Sequence, residues 1–420
     1  MKGRWLIITY FANIDAMAPS HHIDDRLPVL KRKGIDISLL TSPCGVRSKG
    51  LSHTRVPSLA PSGIRYEVRY FLRRRTRKKT WFKFWETILL LPVYPFYFIE
   101  KIFFRLDSTW SWFIPATVAA IVITLKKRPD IIYSTGGPVS AHIAARAVSS
   151  LAKIPHIAEF QDPLAHQYAA PGKFERLFIK RVERLILKTA SASVFLTRQA
   201  ALNASGRNPG KKTASLYAGA DPPDSAPPYE RGKQFVIAHF GSLGGSRNLY
   251  YVFRAFDALF HECPDLTGYV RFDLYGNNGR NASRQIDQFP YREIVHAKGK
   301  VTRQKAIDSM YKADVLLLIQ NTDDVSLETI PSKVYEYMHT GRPILALIYR
   351  NPELQDMLEV RGDIVVQADD EAAIRKGLEA YVRQWRQNRL LSPSPSPYTV
   401  EKAVNELIRL ANQSLTGEGL

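Results

Sequence analysis

The segment Ser326–Leu347, SLETIPSKVYEYMHTGRPILAL, decides how the rest of the chain is read. Pro331 suits a helix start, Ser332 can cap it, and Gly341-Arg342-Pro343 stops it. The spacing therefore predicts a loop, a helix over Lys333–His339, a turn and a buried strand ending at Leu347. Such a helix start offers backbone N–H groups and a partial positive charge, which suits a diphosphate. Lys333 adds a cation beside it. Glu328 precedes the helix and Glu336 follows its first turn, eight residues later. Carboxylates so placed can accept hydrogen bonds from sugar hydroxyls next to the phosphates.

Working outward, the same strand–helix alternation fills both halves. The second half predicts strands at Phe235–Phe240, Val270–Tyr275, Val315–Leu318, Pro343–Leu347 and Ile364–Val366. Helices fall between them, including Asn248–His261, and a last helix runs near Val400–Ala411. The first half predicts strands at Trp5–Tyr10, Ile35–Leu40, Ile131–Ser134, His156–Phe160 and Ala192–Leu196, with helices at Ala141–Leu151 and Phe174–Leu187. This alternation implies an α/β chain with parallel sheets. Between the halves, DPPDSAPPYERG at 221–232 carries four prolines in twelve residues, the composition of a linker. The expected organisation is an N-terminal domain over 1–220, that linker, a second domain over 233–395 and a C-terminal helical segment over 396–420. Two doubly wound, Rossmann-like domains would bind ligands at the carboxyl ends of their strands, in a cleft between them.

Charge separates the halves. Residues 1–210 hold 33 basic and 13 acidic side chains, whereas 211–420 hold 26 of each, so the whole excess of +20 lies in the first half. A field of that sign attracts polyanions. Arg73, Arg74, Arg75, Arg77, Lys78 and Lys79 immediately precede Trp81, Phe82, Phe84 and Trp85, a pairing suited to an anionic membrane interface. Arg/Lys with aromatics also suits single-stranded nucleic acid, but no recognisable nucleic-acid motif accompanies the cluster, and nucleic acid is not expected as a partner. A solvated charged loop is the plain alternative. The uncharged windows 87–99 and 108–125 are 13 and 18 residues long, and both contain proline. A spanning helix needs about 20 mainly apolar residues, so the second window reads as a buried helix feeding the strand at Ile131. Two cysteines exclude a disulfide framework or a thiolate zinc site, and with no secretory signal the expected setting is cytoplasmic, peripheral to the membrane.

Glu-x7-Glu, with Pro-Ser-Lys-Val-Tyr-Glu-Tyr-Met and Gly-Arg-Pro-Ile-Leu-Ala around it, resembles the donor-site signature of retaining glycosyltransferases of the GT-B fold, family 4. The resemblance implies that Glu336 holds the nucleotide ribose, Glu328 contacts the donor sugar, and the backbone at Ser332, Lys333 and Val334 cradles the phosphates. Phe240-Gly241-Ser242-Leu243-Gly244-Gly245-Ser246-Arg247 follows a strand and resembles the first loop of that donor domain. There Gly241 and Gly244 admit a phosphate and Arg247 reaches it. It departs from the family pattern in placing Ser242 where an Arg often stands. Lys298-Gly299-Lys300-Val301 resembles the stretch whose backbone reads the nucleobase. In the first half, Tyr133–Pro138 and Ile154–Pro163 resemble the acceptor-domain pattern, with Gln161-Asp162 where many members have a His.

Glu328 and Asp162 are thus the candidate catalytic carboxylates, although Asp162 serves equally as a helix cap. His21, His22 and Asp24 are expected on the acceptor side, gripping acceptor or donor, with Arg26 beginning a helix; adjacent histidines without distant partners make a poor metal site. Asp323-Asp324 resembles the metal-binding carboxylates of the other glycosyltransferase fold, in strand surroundings that do not fit it. The implied function is transfer of a sugar from a nucleotide-diphospho-sugar to a membrane-associated acceptor, a lipid-linked glycan of cell-surface polysaccharide synthesis, with retention. No metal or other cofactor is expected. The alternatives are a sugar-nucleotide epimerase of the same architecture and a non-catalytic protein that binds polyanions or membranes.

Overall fold

The computed structural model describes residues 3–15, 17–75, 79–103, 107–165, 172–211, 213–223, 227–390 and 392–416. It divides into two units, 1–216 with 403–420, and 217–402. The first contains β1 (Arg4–Ile8), β2 (Asp36–Thr41), β3 (Ser52–Arg55), β4 (Ile131–Gly136), β5 (His156–Phe160), β6 (Ala192–Phe195) and β7 (Thr213–Ser215). They form one parallel sheet in the order β3-β2-β1-β4-β5-β6-β7. The second contains β8 (Phe235–Phe240), β9 (Val270–Tyr275), β10 (Val295–Gly299), β11 (Val315–Ile319), β12 (Ile344–Ile348) and β13 (Ile364–Gln367), also all parallel, in the order β10-β9-β8-β11-β12-β13. The central strands, such as VLLLI and ILALI, are buried throughout, as parallel strands covered on both faces must be.

Each sheet has a reversal point beside its first strand, where ligands of open α/β sheets bind. In the first unit β1 lies between β2 and β4; in the second β8 lies between β9 and β11. The buried hydrophobic side chains fall into separate clusters along the faces of each sheet, one joining Phe256, Phe272 and Trp385, another joining Leu316, Tyr335 and Tyr337.

Four expectations need correction here. The edge strands β3, β7 and β10 are short and polar, so no apolar run announces them. The 108–125 window becomes a helix over Phe113–Lys126 that is only half buried: Ala116 and Ala120 face inward while Val118 and Leu125 are exposed. Arg26 does not begin a helix; the helix runs Ala18–Arg32, so His21, His22 and Asp24 lie inside it and Arg26 is enclosed at its middle. The proline-rich stretch is also not a free linker in its described part. Tyr229 donates to Asp314, and Arg231 lies over the Trp385 ring at 4.4 Å.

Among the described residues no helix is long and apolar enough to cross a membrane. The helices Lys79–Leu90 and Tyr94–Phe103 nevertheless turn apolar faces outward. Trp81, Phe84, Trp85, Ile88 and Leu89 of the first are exposed, as are Phe96, Phe98, Ile99, Ile102 and Phe103 of the second, the last at 75%. Polar anchors hold their inner sides. Arg69 pairs with Glu86 at 2.9 Å, and buried Glu100 accepts from the Ser62 backbone at 2.8 Å and the Trp110 indole at 2.7 Å. Arg73, Arg74 and Arg75 stand exposed at the end of the preceding helix, Pro61–Arg75. Arg77 and Lys78 lie outside the described residues, as does the side chain of Lys79.

Candidate functional site

The carboxyl ends of β8, β9 and β10 are tied together by glycines. Gly241 donates its N–H to the Tyr275 carbonyl at 2.8 Å, and Gly276 donates to Gly299 at 2.9 Å. All three glycines have positive φ, +122° at Gly241, +131° at Gly276 and +69° at Gly299, a region where side chains are disfavoured. A Cβ at Gly276 would fall 2.3 Å from the Gly241 carbonyl oxygen. The glycines therefore form a ledge on which backbone, rather than side chain, is presented. Beyond it, Gly244 and Arg247 close a tight turn, the Arg247 N–H donating to the Gly244 carbonyl at 3.2 Å.

Lys333 reaches this ledge from the other side of β8. Its ammonium donates to the Phe240 carbonyl at 2.7 Å, lies 3.3 Å from His239 Nε2, and would stand 3.2 Å from a Cβ on Gly241. Lys333 thus supplies a cation where Ser242 does not. Burial, together with the nearby Arg247, holds the Lys333 ammonium well below the usual lysine range. Arg247 is itself lowered by burial, and its Nε has no hydrogen-bond partner. A lysine so placed gives up its proton readily, and an anion bound beside it would hold the ammonium charged.

The helix behind Lys333 contributes less than its sequence suggests. Ser332 has helical φ and ψ and makes no side-chain cap. The Val334 N–H donates to the Pro331 carbonyl at 2.9 Å, so it does not point at a phosphate. The helix is seven residues long. Glu336 sits in its first turn, partly exposed, bonded at 2.8 Å to Arg303 at the start of the helix that follows β10. Glu328 is buried at the end of a 3-10 turn, Asp324–Glu328. Two buried amides shape the loop around it: Gln320 and Asn351 each donate to the carbonyls of Ser326 and Thr329. Gln320 also accepts from Tyr349 N–H at 3.0 Å. Neither amide, nor His239 or Arg303, follows from the sequence, because each works through partners distant in the chain. Asp323 accepts from Ser246 at 2.6 Å, and among the described residues no three His, Cys, Asp or Glu converge as for a metal.

In the first unit, Asp162 and Gly137 come together at the ends of β5 and β4, with Asp162 Oδ2 3.7 Å from a Cβ placed on Gly137. Asp162 is exposed in a bend, and the next described helix starts at Lys173. Asp24 serves its own loop, accepting from Asn13 N–H at 2.7 Å and Ser20 Oγ at 2.6 Å. His21 accepts from the Met17 N–H at 3.4 Å, and His22 is partly buried on the same helix.

Comparison with known proteins accords with this geometry. Residues 30–213 match the Glycosyl transferase 4-like domain. No curated protein sequence matches the chain. Among solved structures, an α,α-trehalose-phosphate synthase (UDP-forming) from Burkholderia xenovorans, in complex with glucose-6-phosphate, superposes with TM-score 0.63 at 12% identity, over 97% of this chain and 100% of that one. HepE of Anabaena in complex with UDP-glucose gives TM-score 0.57 at 11% identity over 99% of both chains. A TarM mutant of S. aureus in complex with fondaparinux, α-GlcNAc-glycerol and UDP gives 0.51 at 12% identity, over 70% of this chain but only 59% of TarM. The fold is GT-B, shared with these structures, and the match to a glycosyl transferase 4-like domain lies within the first unit.

Proposed function

We propose that the protein is a retaining hexosyltransferase that takes a sugar from a nucleotide-diphospho-sugar and delivers it to a membrane-associated acceptor, a lipid-linked glycan. The observation that carries this reading is the pair of partly buried basic side chains, Lys333 and Arg247, beside the Gly241 ledge with Glu336 and Glu328 on nearby stretches of the chain. The two cations take the diphosphate and stabilise it as the leaving group while positive charge develops on the sugar. Glu336 accepts from the ribose hydroxyls once Arg303 yields or shares it, and Glu328 accepts from the sugar. No resident metal is needed for that charge balance. Asp162 and the histidines at 21 and 22 stand on the acceptor side. Since the similar HepE structure holds UDP-glucose and the TarM mutant holds UDP, UDP is the first nucleotide to test.

The acceptor reading rests on the outward apolar faces of Lys79–Leu90 and Tyr94–Phe103 beside exposed Arg73, Arg74 and Arg75. Exposed aromatic and aliphatic side chains with flanking cations suit a lipid interface better than water. The expected attachment is peripheral, on the cytoplasmic face.

The deciding experiment is thermal stabilisation by UDP, GDP, CDP and dTDP, beside Glu336→Ala. At 100 times Kd a ligand adds about 2.7 kcal/mol, so one diphosphate should raise the Tm of the wild type and not of the variant. No shift with any of the four would remove the donor site. The epimerase is separated by product: it interconverts the nucleotide sugar without an acceptor, whereas a transferase releases nucleoside diphosphate only when acceptor is supplied.

A further inference from the structure

We propose that His239 is a positioning residue for the donor diphosphate: it holds the Lys333 side chain so that the ammonium faces the Gly241 ledge. The inference rests on the donor-site reading above and adds a residue that touches neither sugar nor nucleotide. His239 occupies β8, fully buried. Its Nδ1 lies 2.9 Å from the Leu317 carbonyl on the neighbouring strand β11. A carbonyl only accepts, so Nδ1 carries the proton and Nε2 is left as an acceptor. The Lys333 ammonium, 3.3 Å from Nε2, then donates to it, and donates again to the Phe240 carbonyl at 2.7 Å.

That arrangement uses two of three N–H directions of a long, flexible side chain. A free lysine would lose rotamer freedom on gripping a ligand; here the loss has been taken in folding. The surrounding charges agree with a ligand at the third direction. Burial and Lys333 keep His239 neutral, and Arg247 is the other cation acting on both. Asp323 acts on Arg247 but is bonded to Ser246, and the Tyr337 hydroxyl accepts from the Phe240 N–H at 2.9 Å. No carboxylate is bonded to Lys333 among the described residues, while the guanidinium Nε of Arg247 lacks a partner. An anion bound at the third direction would keep the Lys333 ammonium charged, and His239 fixes where that anion goes.

The test compares affinities for UDP, uridine and inorganic pyrophosphate in the wild type, His239→Leu and His239→Gln. Glutamine can return an acceptor oxygen near the Nε2 position. Leu should weaken UDP and pyrophosphate at least tenfold and leave uridine unchanged, and Gln should recover most of the loss. Equal weakening of uridine and UDP would mark a merely structural role and overturn the inference, as would UDP binding within twofold of wild type in the Leu variant. Should the Leu variant not fold, the wild type still reports: the histidine Nε2 nitrogen resonance that Lys333→Met perturbs should shift with UDP or pyrophosphate and not with uridine. A silent resonance overturns the proposal. His239-dependent pyrophosphate binding without any nucleoside diphosphate binding would keep the inference and end the donor reading. Strong UDP binding indifferent to His239 would do the reverse, and no binding of either anion ends both.

Discussion

At Ser134 the hydroxyl lies 2.8 Å from His142 Nδ1 and 2.7 Å from His156 Nε2, all three groups fully buried. Burial pushes His142 down to about 4 and His156 to about 3, so both are neutral in the native state. Below pH 6.5 the unfolded chain takes up protons that the folded chain refuses. Stability therefore falls as pH drops from 6.5 towards 4 for His142 and towards 3 for His156. At pH 5 the loss should be about 2 kcal/mol per histidine, read as a lower urea midpoint than at pH 7. His156→Gln should flatten that slope; an unchanged slope would mean that other groups set it. A second single-residue test concerns the ledge. Gly276→Ala places a Cβ against the Gly241 carbonyl in a left-handed backbone, and it should lower both Tm and nucleotide affinity. Gly244→Ala meets no protein atom within 4 Å and should leave the Tm unchanged.

At the scale of elements, the helices Lys79–Leu90 and Tyr94–Phe103 make the sharpest prediction. Replacing Phe96, Phe98, Ile102 and Phe103 together with serine should leave the Tm within a few degrees, because these side chains are exposed. It should abolish sedimentation with vesicles of anionic lipid. Retained sedimentation would show that Arg73–Arg75 suffice or that another surface binds. The wild-type interaction should also weaken with salt, since cations near an anionic surface contribute about 1 kcal/mol each and are screened within a Debye length. These two helices also show why part of the molecule was hard to read in advance. Trp81, Phe84 and Trp85 beside arginines signal an interface from composition alone. By contrast, whether Phe96 or Leu125 faces a core or the outside depends on neighbours far along the chain. Central strands were legible because parallel strands buried on both faces must be continuous apolar runs. VHAKG of β10 was not, because an edge strand needs only backbone pairing. The site divides similarly: Glu328, Glu336, Lys333 and Gly241 lie in local patterns with a chemical meaning, while His239, Gln320, Asn351 and Arg303 acquire a role only when distant strands are adjacent.

For the whole molecule, the last helix is the telling feature. Val400–Thr416 begins among residues of the second unit, yet from Ala403 onward it belongs to the first. Val404, Leu407 and Leu410 are fully buried, worth about 1.5–3 kcal/mol each. A chain stopped after Lys402 should therefore lose stability in the first unit, seen as faster proteolysis within 1–216, while 217–402 keeps its nucleotide response. Equal protection of both units would contradict this assignment.

The same helix sets a timetable for biosynthesis. A domain made early normally folds while the ribosome is still working, but residues 1–216 lack their final helix until the polypeptide has grown past Ala403. At typical elongation rates of 5–20 residues per second that interval lasts roughly 10–40 s. Throughout it, the nascent first unit has an unfilled apolar groove as well as the outward-facing aromatic helices. Such an intermediate exposes apolar surface to chaperones while the chain is still being made.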